Sequence, residues 1–153
     1  MEIYARPLEE DDARTSYVWR NDPEIWRYTG SSPDRTITLE DELAWVRNVI
    51  ADNTSRRFAI IADNAYVGNI YLTNIHDGKA EYQIFIGDKD HMGKGVAKEV
   101  SKQIIDFAQN KLHLQSVSLE VRPENIRAVQ LYLSLGFKIV QENADFLTMS
   151  IDF

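Results

Sequence analysis

Gly93 and Gly95 stand in a polar stretch, Asp90-His91-Met92-Gly93-Lys94-Gly95-Val96-Ala97, between an apolar segment and an amphipathic one. A turn of this kind, entered from a strand and left through a helix, can hold a phosphate. Glycine lets the backbone close on a ligand, and the free N–H groups at a helix start, backed by its dipole, favour an anion. A Rossmann turn does not fit, because the third glycine is missing and the preceding strands read as hairpin-linked. The Walker P-loop pattern is absent too. With no cysteine anywhere in the chain, a thiol nucleophile, a disulfide framework and Cys-ligated zinc or iron–sulfur sites are all excluded. His76, His91 and His113 share no ligand spacing, so no metal site is expected.

Positioning that loop requires a strand before it and a helix after it. Val96, Ala97, Val100, Ile104, Phe107 and Ala108 recur at helical spacing, which predicts a helix up to about Lys111. Upstream, three β-like segments at 57–62, 66–73 and 80–86 are joined across Asp63-Asn64 and His76-Asp77-Gly78, the pattern of an antiparallel meander. A short strand at 3–6 precedes them. The acidic run Glu9-Glu10-Asp11-Asp12 is expected to open a helix through about Trp19, Asn21-Asp22-Pro23 a turn, and Thr38 a second helix to about Asp52, with Asp41 completing a capping box. After the loop helix, residues 116–121 alternate as a strand that Pro123 ends. Asn125 begins a last helix, Gly136 closes it, and 138–141 with 146–151 read as a final hairpin. The order is βααβββαβαββ.

The last helix carries the most specific pattern. Asn125, Ala128, Leu131, Tyr132, Gly136 and Phe137 stand at the spacing N-x-x-A-x-x-L-Y-x-x-x-G-F, and every position resembles the signature of the GCN5-related N-acetyltransferase (GNAT) superfamily. The Gly93/Gly95 loop resembles that family's acetyl-CoA pyrophosphate motif, with Asp90 where a Gln or Arg is usual. Arg6-Pro7-Leu8 and the stretch from Trp19 to Tyr28 look like its ribosomal-protein and polyamine acetylating branch, and the region from Arg57-Phe58 to Glu81-Tyr82-Gln83 is similar to spermidine/spermine acetyltransferases. Trp19-Arg20-Asn21 also resembles bacterial enzymes acting on nucleotide-linked amino sugars. The resemblance implies an α/β fold with a mixed, largely antiparallel central sheet of about seven strands flanked by about four helices. Residues 1–153 are expected to form a single domain.

It further implies acetyl transfer from acetyl-CoA straight to a primary amine in a ternary complex, with no acyl-enzyme. Strands 80–86 and 116–121 would splay so that the pantetheine arm lies between them, with backbone N–H groups near Phe85 and Ile86 polarising the thioester. Met92, Gly93, Lys94, Gly95, Val96 and Ala97 would hold the pyrophosphate, and Asn125 the pantetheine arm, although Asn125 equally suits a helix N-cap. Tyr132 is the candidate general acid: a phenol near pKa 10 keeps its proton at neutral pH and can protonate a departing thiolate. Glu81 is the candidate base and amine contact, since an ammonium near pKa 10 must lose a proton before it attacks. Trp26 and Tyr28 are candidates for the acceptor pocket.

Charge narrows the partners. Seventeen Lys and Arg against twenty-four Asp and Glu leave a net charge of −7, the wrong sign for binding nucleic acid or an anionic membrane through phosphates, and favourable for a cationic amine. Without a signal pattern or an apolar run of roughly 18 residues, the expected location is the cytoplasm. The acceptor is read as a polyamine or a protein N-terminal amine, with a nucleotide-linked amino sugar as the alternative. A reading of another class is a non-catalytic acyl-CoA-binding sensor, and a third is an interaction domain. Homodimers are common in the family and are an open expectation here.

Overall fold

A computed structural model describes residues 1–25 and 35–153. Strand β1 (Ile3–Pro7) leads through a single 3-10 turn, Glu10–Asp12, into helix α1 (Ala13–Arg20), and α2 (Leu39–Ala51) follows. The meander is β2 (Arg56–Ala62), β3 (Ala65–His76) and β4 (Lys79–Ile86). A second 3-10 turn, Lys89–His91, precedes α3 (Val96–Asn110), and the chain closes with β5 (Ser116–Val121), α4 (Ile126–Ser134), β6 (Lys138–Glu142) and β7 (Leu147–Asp152). The seven strands form one sheet in the order β1-β2-β3-β4-β5-β7-β6, antiparallel except where β4 meets β5. This is the mixed, mostly antiparallel sheet with four helices that the sequence predicts.

The meander turns are dictated locally. Asp63-Asn64 and Asp77-Gly78 all have positive φ, the two-residue type I′ geometry whose twist matches paired strands. Strand β3 runs past the predicted end at Thr73 because a bulge between Thr73 and His76 lets it continue to the turn. Thr38 and Asp41 form the reciprocal capping box: Asp41 N donates to Thr38 Oγ1 at 3.1 Å and Thr38 N to Asp41 Oδ2 at 3.0 Å.

The acidic run near the N-terminus opens a helical segment that continues to Arg20, as expected, but its first turn is 3-10. Asp12 turns inward, where its carboxylate takes Arg6 Nη1 at 2.9 Å, Arg6 Nη2 at 2.7 Å and, in a capping box, Glu9 N at 2.8 Å. Those bonds hold the run as a 3-10 turn, and the helix begins only at Ala13.

The sheet separates two apolar cores. On one face β4 sends Ala80 and Tyr82 against α3 and α4, where Val96, Val100, Ile104, Ala108, Tyr132 and Phe137 are buried. Leu8, Ala13, Val46, Ala59 and Ile61 pack on the other face beneath α1 and α2. Alternation along β4 therefore assigns Glu81, Gln83 and Phe85 to the α1/α2 face and Tyr82, Ile84 and Ile86 to the α3/α4 face.

Candidate active site

Strand β5 pairs with β7 along its whole length, from Ser116↔Asp152 to Val121↔Leu147. With β4 it pairs only through Lys79↔Ser116, Ala80↔Val117 and Glu81↔Ser118. Beyond Glu81 the two strands part, and β4 continues to Ile86 with that edge unpaired. Its other edge is fully engaged: the register with β3 is unbroken from Thr73↔Glu81 to Gly68↔Ile86, and Gly87 N donates to Val67 O at 2.8 Å. Antiparallel alternation then commits the backbone groups of Phe85 to β3 and turns those of Ile84 and Ile86 toward the gap. Of the two donors expected at the thioester, Phe85 is thus spent in the ladder and Ile86 alone faces the opening. Phe85 contributes its ring instead, edge-on to Trp19 at 6.0 Å.

The glycine loop lies just beyond the open end of β4. Gly93 and Gly95 have φ of +74° and +81°, the left-handed region in which a side chain is strained. Gly95 caps α3, and the first helical bond there is Glu99 N to Gly95 O at 3.1 Å. The amides of Val96, Ala97 and Lys98 therefore have no partner within the helix, and they make the donor set an anion needs. Val96 is buried and Ala97 half-buried, while Met92 and Lys94 are exposed. Asp88 shapes the approach, accepting Asp90 N at 2.9 Å and lying 3.1 Å from His91 Nδ1.

One charged residue at this loop escaped the reading of the sequence. A Cβ built on Gly93 would lie 2.9 Å from Arg127 Nη2, so the guanidinium at the start of α4 rests directly over the loop. Arg127 occupies a variable position inside the N-x-x-A spacing. Its one sequence signal is that it belongs to the first turn of a helix that has to begin beside the gap. Glycines, helix start and arginine together suit a diphosphate.

On the α3/α4 face, Tyr132 is 9% exposed and packs edge-on to Tyr82 and Phe137, each with ring centroids 5.9 Å away. Burial pushes its phenol up to about 12. Among the described residues its hydroxyl forms no hydrogen bond, whereas the Tyr82 hydroxyl is held by Ser101 Oγ. Asn125 caps α4, its Oδ1 accepting Ala128 N at 3.3 Å. That bond uses the amide oxygen and leaves the NH₂ group for a carbonyl in the gap, so capping and binding are compatible.

Glu81 sits on the opposite face, at the last residue pair before the strands part. Asn74 Nδ2 donates to Glu81 Oε2 at 3.0 Å. Asn74 is the second residue that sequence patterning missed: it has φ +48° in the β3 bulge, and no periodicity announces a bulge. Trp19 closes the end of this face. A Cβ on Gly87 would come within 2.0 Å of the Trp19 ring, so only glycine admits it there. Two carboxylates at the start of α2 have partners of their own. Asp41 serves the capping box and takes Arg35 Nη1 at 2.7 Å. Glu42, 1% exposed, accepts Ser16 Oγ at 2.8 Å and Arg20 Nη1 at 3.0 Å, and burial raises its carboxyl despite them. The acceptor-pocket candidates Trp26 and Tyr28 lie outside the described residues.

Comparison with known proteins agrees with this geometry. The chain matches the acetyltransferase (GNAT) domain family over residues 2–138. It is 31% identical to spermidine N(1)-acetyltransferase of Escherichia coli (strain K12) over 142 residues, covering 92% of this chain and 75% of that protein. The spermidine N(1)-acetyltransferase of Vibrio cholerae is 33% identical over 140 residues, covering 89% and 79%. A crystal structure of spermidine N-acetyltransferase from Vibrio cholerae in complex with CoA and spermine matches with a TM-score of 0.88 at 28% identity, over 98% of this chain and 95% of that one. With the family matched across most of its length and the fold shared nearly end to end, the chain belongs to the GNAT acetyltransferases, which acetylate amines with acetyl-CoA.

Proposed function

We propose that the chain acetylates a polyamine of the spermidine class by direct transfer from acetyl-CoA, with Glu81 as base and Tyr132 as acid. The observation that carries the mechanism is the parting of β4 and β5 after Glu81↔Ser118, with Glu81 and Tyr132 on opposite faces of β4 beside it. Direct transfer needs that opposition, because the amine must approach one side of the thioester carbonyl while sulfur leaves from another. The spermidine acetyltransferases it is similar to, together with its net charge of −7, favour a polycationic acceptor over a neutral or anionic one.

Glu81 takes the proton that makes the ammonium nucleophilic, held in orientation by Asn74. Ile86 N–H faces the gap where the carbonyl oxygen gains charge. As the tetrahedral adduct collapses, Tyr132 gives its proton to the departing sulfur and the attacking nitrogen gives up its second proton, which restores the Tyr132 phenol. CoA thus leaves as the thiol, the amine becomes an amide, and Glu81 passes the first proton to solvent. The residues at Gly93–Ala97 and Arg127 hold the diphosphate, and Asn125 donates to the pantetheine arm.

Two measurements follow. Turnover of acetyl-CoA with spermidine, an N-terminal peptide and a UDP-amino sugar should give the highest kcat/KM for spermidine; a preference for the peptide or the sugar refutes the acceptor assignment. Arg127→Ala should raise KM for acetyl-CoA about fivefold to tenfold with kcat nearly unchanged, the loss of one partly solvated phosphate contact. Titration of CoA by calorimetry checks it, and wild-type affinity would remove Arg127 from the site.

A further inference from the structure

One ion-pair cluster joins the acceptor side of the molecule to the cofactor side and has no part in the chemistry above. Lys89 lies in the turn between β4 and the glycine loop, and its ammonium is 2.9 Å from Asp22 Oδ2 and 2.9 Å from Glu24 Oε2. Those carboxylates belong to the connection that leaves α1. Asn21 closes the neck of the same connection: its Oδ1 accepts Ile37 N at 2.8 Å and its Nδ2 donates to Ile37 O at 2.8 Å. The start of the α1–α2 connection is therefore fixed to its own end by Asn21 and to the cofactor loop by Lys89.

The Lys89 turn is bonded into the loop it precedes. Met92 N donates to Lys89 O at 3.3 Å, His91 N to Asp88 O at 3.1 Å, and Gly93 follows at once. Its pairing also shows in the titration of its members: hydrogen bonding to Lys89 holds the Asp22 carboxyl below the usual range, and the same bond raises the Lys89 ammonium. The Trp19 ring over Gly87 is a second attachment, so α1 and the end of β4 are pinned at two neighbouring points.

We propose that Lys89 is a positioning residue that couples occupation of the acetyl-CoA loop to the placement of residues 21–25, which leave α1 on the face of the sheet that carries Glu81. The inference rests on the reading that Gly93–Ala97 hold the CoA diphosphate. Ordering that loop also orders the turn carrying Lys89, and through it Asp22 and Glu24. The coupling is reciprocal, so a bound acceptor tightens CoA by the same factor. Because the pair is exposed to solvent, that factor is small, about twofold to fivefold, and falls with salt.

Amide hydrogen exchange on the full chain with and without saturating CoA tests it, because CoA alone is the probe and no acceptor is needed. In the wild type, CoA should slow exchange at residues 88–97 and also at 20–25. In Lys89→Met the protection at 88–97 should remain and that at 20–25 should be lost. Lys89→Arg should keep both, and Asp22→Asn with Glu24→Gln should reproduce the Met result from the other side of the pair. Protection of 20–25 that persists in Lys89→Met, or is missing in the wild type, overturns the coupling. No protection at 88–97 in the wild type refutes the loop assignment and the coupling with it. Failure to acetylate spermidine would instead refute the acceptor assignment and leave the exchange result standing. Where spermidine is turned over, Lys89→Met should raise its KM about twofold to fivefold with kcat kept.

Discussion

Tyr132→Phe should lower kcat about a hundredfold while leaving KM for both substrates nearly unchanged, the lower bound of what a positioned general acid contributes. The acid is needed because the thiolate of CoA is a poor leaving group in a dry site. With the phenol pushed up to about 12 by burial, Tyr132 is protonated at every pH below about 11. It therefore always carries the proton. In water the thiolate of a thiol near pKa 8.5 is the weaker base of the two, but the dry site that raises the phenol destabilises a free thiolate as well, and the proton passes to sulfur as the C–S bond breaks. A consequence for pH follows: the wild-type rate should show no alkaline fall between pH 8 and 10 from loss of this proton. Folding should be preserved. The hydroxyl makes no hydrogen bond among the described residues, and a Phe ring keeps the edge contacts with Tyr82 and Phe137. A stability change of about 0.5 kcal/mol or less is expected. Wild-type kcat in the variant would end the assignment.

Glu81→Gln should reduce kcat/KM at pH 7 about a hundredfold, and the deficit should shrink as pH rises. An amine near pKa 10 is free in only about one molecule per thousand at pH 7. Without the base, the variant must capture that fraction directly, so its log rate should climb about one unit per pH unit until the amine titrates. With Glu81 as base, the wild type would take the ammonium and strip it in place, and should level off at lower pH. Glutamine preserves the oxygen that accepts Asn74 Nδ2, so the β3 bulge and its geometry survive the change. Parallel pH–rate profiles for the two proteins would show that Glu81 is only a strand residue.

The parts of this molecule that were legible in its sequence are those governed by neighbours in the chain. Thr38 with Asp41, Asp63-Asn64, Asp77-Gly78 and the stripe from Val96 to Ala108 each act within one turn of helix or hairpin, and they appear in the structure as read. Asn125 caps α4 as its spacing announced. What could not be read depends on residues brought together from far apart. Arg127 over Gly93 requires two helix starts to face one another. Asn74 reaches Glu81 only because β3 bulges, and the division of labour between Phe85 and Ile86 follows from which edge of β4 is paired. The acidic run at 9–12 opens its helical segment as read, while the bond from Asp12 to Arg6 on β1 could not be read from it.

The claim on which the rest depends is that this chain makes an amide from acetyl-CoA and a polyamine. The most direct measurement is a time course with acetyl-CoA and spermidine, following CoA thiol release and identifying the polyamine product by mass. The expected result is N-acetylspermidine formed in step with the thiol, one for one. CoA bound at the loop with no thiol released on spermidine or any other amine would contradict it and leave an acyl-CoA sensor in its place.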